Sequence, residues 1–172
     1  MMQTEWRTTA AGRAARSAVT LVASALVLTG CVLPEQGAGE PRRAQPVIDA
    51  DAAKQQMVGA VDDLTGRLGG DWDQGTGPDY ADACALPGGQ PGAQWVDVRT
   101  RPFVGNVTED LPVVEAHWKR QGMTIDRWGS TAHPTLVGRG GAATDSISLS
   151  VADDQYGVQA LSRCFPGDPD EL

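Results

Sequence analysis

Ile147, Leu149 and Val151 alternate with serines, a polar turn follows around Asp153-Asp154-Gln155, and Val158, Ala160, Ser162 and Cys164 alternate again. Successive side chains of a strand point to opposite faces, so this spacing predicts a hairpin with its apolar positions on one side. A sheet built on it needs a second layer over that side. The hairpin therefore commits the C-terminal third of the chain to an antiparallel sheet that something else must cover.

Two amphipathic segments are available as cover. Asp49 is a good N-cap with Ile48 before it as a staple residue and Asp51 in the first turn, and Met57, Val61, Leu64 and Leu68 then fall on one helical face that Gly69-Gly70 ends. The second helix is predicted over Glu109 to Gln121, opened by Thr108 or Asp110, with Pro112 in its first turn, Leu111, Val114 and Trp118 as the buried stripe, and Gly122 as the stop.

The polar, glycine-rich segment from Asp71 to Pro91 reads as a long loop. Gln94 to Thr100 alternates Val96 and Val98 against Trp95, Asp97 and Arg99, which predicts a strand whose last part leaves the sheet or lies on an edge because of Pro102. Met123 to Trp128 and Pro134 to Val137 are further short strands, and Gly138, Gly140 and Gly141 read as a turn. The expected fold is α+β, an antiparallel sheet of about four strands with both helices packed on one face as a two-layer sandwich.

The N-terminus has a different layout. Arg7, Arg13 and Arg16 precede an apolar and small-residue run from Ala18 to Leu28, which ends in Leu28-Thr29-Gly30-Cys31. As a helix this run reaches only about 16 Å, roughly half a bilayer core, so a permanent span is the weaker reading. The four residues resemble the lipobox of bacterial lipoproteins, which implies cleavage between Gly30 and Cys31 and lipidation of Cys31; the alternative is a cysteine that merely follows an ordinary signal peptide. Two or more acyl chains anchor firmly where one holds marginally. Residues 32–46, with three prolines and no apolar period, read as a flexible tether, and residues 47–172 as a single extracytoplasmic domain.

If Cys31 carries lipid, Cys84 and Cys164 remain as an even pair, the arrangement expected of one disulfide, with two free thiols as the alternative. The order of features also resembles the LppA-like lipoproteins of mycobacteria and their relatives: a lipobox, an N-terminal helix, Cys84 before a strand, Arg101-Pro102-Phe103, a helix ending in glycine, and a hairpin closing on Cys164-Phe165. The likeness spans residues 47 to 167, with shorter loops here. It implies an envelope lipoprotein of unassigned biochemical role and supplies no catalytic or ligand residues.

Catalytic chemistry has little to build on. With His117 and His133 as the only histidines and no G-x-S-x-G elbow, a nucleophilic triad lacks parts. An envelope hydrolase using His117 and nearby carboxylates is the least favoured reading. Asp71, Asp73, Asp79 and Asp82 occupy carboxylate positions of a calcium loop, but Gly75, Thr76 and the short Asp82 stand where that loop needs other residues, so a solvated acidic segment is expected and no metal is assigned. No cofactor is implied.

The formal net charge is -8, and removal of residues 1–30, with three arginines against Glu5, leaves about -10. Such a domain repels phosphate backbones, so nucleic acid is excluded as a partner. Arg99, Arg101, Arg120 and Arg127 could converge if the first strand and second helix are neighbours. The function expected is a membrane-anchored, non-enzymatic interaction or structural module of the cell envelope, with the membrane and an envelope protein or polymer as partners. The alternative is a binding protein for a small ligand or envelope polymer, with Trp95, Arg99, Arg101 and Trp128 as candidate ligand residues.

Overall fold

The computed structural model describes residues 46–102 and 105–172. The expected signal peptide, the Gly30/Cys31 junction, the expected tether up to residue 45 and Phe103 lie outside the described residues. The elements run α1 (Ala50–Leu68), β1 (Asp73–Gln74), β2 (Tyr80–Ala85), β3 (Pro91–Pro102), α2 (Val107–Arg120), β4 (Met123–Gly129), β5 (Pro134–Gly140), β6 (Thr144–Val151), β7 (Gln155–Ser162) and a 3-10 turn at Pro169–Glu171.

Helix α1 begins where its cap dictates. Asp49 Oδ1 accepts a hydrogen bond from Ala52 N at 2.8 Å, Ile48 is buried beside it, and Ala53, Met57, Val61 and Leu64 line the covered face. Gly69 ends it at φ +66°, a conformation that suits glycine. Helix α2 starts two residues before Glu109, because Asn106 rather than Thr108 or Asp110 is the cap: Asn106 Oδ1 accepts from Thr108 N at 3.1 Å. Pro112 consequently lies beyond the first turn. It is exposed, as is Thr108, so the backbone carbonyl that its ring leaves unbonded is in reach of water.

The antiparallel sheet has seven strands rather than about four, in the order β1-β3-β7-β6-β5-β4, with β2 also on β3. β1 and β2 pair with successive stretches of the same edge of β3, from Asp73↔Thr100 to Gln74↔Arg99 and from Tyr80↔Val96 to Ala85↔Pro91. They amount to one edge strand interrupted at residues 75–79, where the Gly77-Pro78 peptide is cis. Gly77 has φ +85°, and a Cβ there would stand 1.8 Å from the Val96 carbonyl oxygen. The segment expected as a long loop thus contributes two stretches of ladder, Asp73–Gln74 and Tyr80–Ala85, with turns between and after them. It carries no buried apolar alternation, because an edge strand of Ala, Asp and Tyr is largely exposed.

From β3 the chain crosses through α2 to the opposite edge, then returns as the meander β4-β5-β6-β7 until β7 pairs with β3. The register aligns rows across the sheet. Arg99, Val158, Leu149, Leu136 and Arg127 form one row, and Asp97, Ala160, Ile147, Gly138 and Ile125 the next. Both rows lie under the helices, α1 over β3, β7 and β6, and α2 over β4 and β5. Gly138, a strand residue rather than a turn, lets the Trp118 indole settle on β5: a Cβ would come within 3.0 Å of Trp118 and 2.9 Å of Met123 Sδ.

No helix among the described residues covers the other side of the sheet. Its rows read Trp128, Thr135, Ser150, Gly157, Thr100 and then Asp126, Val137, Ser148, Gln159, Val98. Cys84 and Cys164 form a disulfide with their Cα atoms 6.0 Å apart. Cys84 pairs with Gly92, and Phe165 bridges to Ala93, so the bond lies against the start of β3. Gly92 has no room for a side chain, since a Cβ would lie 2.9 Å from Cys164 Sγ and 2.7 Å from the Phe165 oxygen.

Candidate functional site

Three of the four predicted ligand residues hold α1 on the sheet instead. Trp95 is 5% exposed; its Nε1 donates to the Ala50 oxygen at 2.8 Å, its ring packs on Phe165 with centroids 5.7 Å apart, and Lys54 Nζ sits 3.8 Å over it. Arg99 bridges Asp97 on its own strand, at 3.0 Å, to Asp62 on α1, at 2.7 Å. Burial opposes the guanidinium charge, but the hydrogen bonds to Asp97 and Asp62 outweigh it and keep its pKa raised. Arg101, 5% exposed, lies between the Trp72 and Tyr156 rings and donates to the Leu68 oxygen at 3.3 Å.

The arginines do not converge. Arg99 and Arg127 end the same row with three strands between them, roughly 19 Å apart at ordinary strand spacing. Arg127 pairs with Glu115 of α2, and Arg120 closes that helix.

Trp128 is the predicted ligand residue that stands at the surface, 60% exposed. It lies near the end of β4 on the uncovered side of the sheet, opposite Thr135. Two clefts share it as a wall. One, of about 450 Å³, lies between the start of α2 and the β4-β5 turn, with Thr108, Leu111, Ser130, Thr131 and Thr135 among its lining. The other, of about 310 Å³, lies on the uncovered sheet and takes in Val137, Arg139, Ser146, Ser148 and Gln159. Each volume lies toward the lower end of the roughly 300–1,000 Å³ of small-ligand pockets, and the shared Trp128 wall makes the two continuous for a longer ligand. The indication in the sequence was the tryptophan at the end of a short strand; the serines of the last hairpin, read only as spacers, line the same surface.

Both charged groups near these clefts are matched. Arg139 Nε donates to Asp126 Oδ2 at 3.2 Å, and Arg127 is held by Glu115. The Glu115 carboxyl sits below its usual range, chiefly through its hydrogen bond with Lys119 and further through Arg127. The site therefore offers hydroxyls, one amide and an aromatic face, with its two lining arginines already engaged and Glu115 shared between Arg127 and Lys119.

His117 is buried at the junction of the two helices, with Nε2 2.6 Å from Asp63 Oδ2. Asp63 also takes a two-pronged hydrogen bond from Arg67, and this, ahead of His117, holds its carboxyl below the usual range against the opposing effect of burial. A carboxyl with a lowered folded pKa contributes stability that is complete above about pH 4 and lost as pH falls through the folded value. Asp63→Asn should therefore cost less than about 1 kcal/mol near neutrality, since the side chain is 39% exposed and solvent screens the pair, and the gap from wild type should close on acidification. Urea melts from pH 7 to pH 3 measure it, and a gap that widens on acidification would contradict it. His133 faces Asp153 at 2.5 Å on exposed turns.

The acidic segment does not coil round a centre. Asp73 pairs with Thr100, Asp79 binds Lys54 at 2.7 Å, and Asp82 pairs with Gln94, while its Oδ1 accepts from Ala83 N. Among the described residues no group of three or more His, Cys, Asp or Glu is placed to hold a metal ion. No described helix is long and apolar enough to cross a membrane.

No family model and no curated protein matches the chain. A DUF4853 family protein from Actinomyces odontolyticus, known from a crystal structure at 2.65 Å resolution, is similar over 67% of this chain and 65% of its own length, at 14% identity and a TM-score of 0.45. A likeness of that size carries no argument about role.

Proposed function

We propose that the chain is a cell-envelope lipoprotein of the LppA-like kind, cleaved between Gly30 and Cys31, lipidated on Cys31, and displaying residues 47–172 at the extracytoplasmic face of the cell membrane as a non-enzymatic interaction module. The anchor half rests on the apolar run ending in Leu28-Thr29-Gly30-Cys31. A disulfide between the other two cysteines agrees with an exported domain. It also removes both thiols from nucleophilic use, which weighs against hydrolase chemistry.

The observation that carries the interaction half is Trp128, a large aromatic left 60% exposed between two clefts when the other candidate ligand residues are packed inside. A small-ligand carrier built round Trp95 loses its lining residue to the core. The anchor is tested by fractionation and intact-mass measurement. Wild-type protein should pellet with membranes and carry two or three acyl chains on Cys31, whereas Cys31→Ala should leave the membrane fraction. A Cys31→Ala protein that stays as firmly bound, or an unmodified native Cys31, would end this reading.

A further inference from the structure

We infer that the Trp128 ridge binds an uncharged carbohydrate chain, which rests on the reading of this domain as an interaction module and names the chemical class of its ligand. A sugar ring has two kinds of surface. Its hydroxyls each donate and accept hydrogen bonds, while its axial C–H groups form a weakly positive apolar patch that fits the electron-rich face of an indole. Trp128 supplies such a face at the surface, and the clefts beside it supply the hydroxyl partners, Thr108, Ser130 and Thr131 on one side and Ser146, Ser148 and Gln159 on the other. Ser148 Oγ donates to the Gln159 carbonyl at 3.4 Å, which leaves its lone pairs to accept from a ligand hydroxyl.

Charge selects among polymers. The domain is acidic, yet the arginines at the two clefts are already paired, Arg139 with Asp126 and Arg127 with Glu115. An anionic polymer would be repelled by the acidic domain as a whole, and the carboxylates beside the ridge, Asp126 and Glu115, are already engaged by Arg139 and by Arg127 with Lys119, so a basic peptide would find no free partner in them. A neutral, hydroxyl-rich chain incurs neither penalty. Two clefts meeting at one aromatic wall fit an extended ligand of several rings, with the central ring on Trp128.

The test uses the full lipidated chain in a detergent without a sugar head group, titrated calorimetrically with neutral tetrasaccharides of glucose, galactose, mannose and arabinose and with polygalacturonate as the charged comparison. At least one neutral sugar should bind saturably, with an affinity unchanged between about 0.05 and 0.5 M salt. Trp128→Ala should weaken it by about tenfold or more and Trp128→Phe by less. Absence of neutral-sugar binding, binding indifferent to Trp128→Ala, or binding only to polygalacturonate that fades with salt would overturn the assignment. A photoreactive phenylalanine analogue at position 137, in the cleft beside an intact Trp128, separates the two layers of the argument in living cells. With no sugar bound, a protein adduct would refute the carbohydrate and leave an interaction module, and no adduct at all would refute both.

Discussion

Replacing Cys84 and Cys164 together by alanine should lower the stability of the domain by about 4 kcal/mol and its melting temperature by about 15 °C. The bond closes a loop of 80 residues that contains β3, α2 and the whole meander, so its loss frees the unfolded chain more than a local staple would. The folded state also loses its fastening between the β2 edge and the segment after β7, since both cysteines lie at Gly92 and Ala93. Calorimetry of the double variant, with reduced wild type as the reference, measures the effect; the two should agree. A melting temperature within about 3 °C of oxidised wild type would show that the sheet closes without the bridge.

The second large effect is expected at Asp97, which has no exposed surface. Its Oδ1 accepts from Gln74 Nε2 at 2.8 Å and its Oδ2 from Arg99 at 3.0 Å, while Arg99 reaches on to Asp62 of α1. Asp97→Ala should cost about 2 kcal/mol, because the guanidinium of Arg99 loses its buried partner and keeps only the exposed Asp62, while the exposed Gln74 amide retains the Thr76 oxygen. Asp97→Leu combined with Arg99→Met should recover much of that loss, since both desolvated charges then leave at once. Urea melts of the single and double variants give the coupling directly. A cost for Asp97→Ala below about 1 kcal/mol would mean that water reaches the pair despite its burial.

The elements legible in the sequence were those with a buried side. Asp49 and the Met57, Val61, Leu64 stripe located α1, and the alternation of Ile147, Leu149, Val158 and Ala160 located β6 and β7 with their turn. The edge β1-β2 was invisible for a physical reason: an exposed edge is held by backbone hydrogen bonds, and those leave no apolar period behind them. Gly138 misled in the opposite sense, as a glycine chosen to admit the Trp118 ring rather than to make a turn.

Of the four candidate ligand residues, Trp128 stands at the surface, whereas Trp95, Arg99 and Arg101 pack under α1, and the sequence pattern did not separate them. Strand alternation places those three on one side of β3 but does not say whether that side meets helix or water. The answer depended on α1 passing over it, with Ala50, Asp62 and Leu68 supplying their partners.

The crossover through α2 also fixes when the molecule can become itself. β3 is a central strand with β7 as its inner neighbour, and β7 is the last strand made. Until the chain has emerged through Ser162, β3 can form its β2 hairpin but has nothing on its other side, and the row that ends in Arg99 cannot be completed. Pairings between segments this distant in sequence form late and slowly. A chain released from its N-terminus onward could therefore form its β2-β3 hairpin early, but its sheet could close only once Ser162 had emerged.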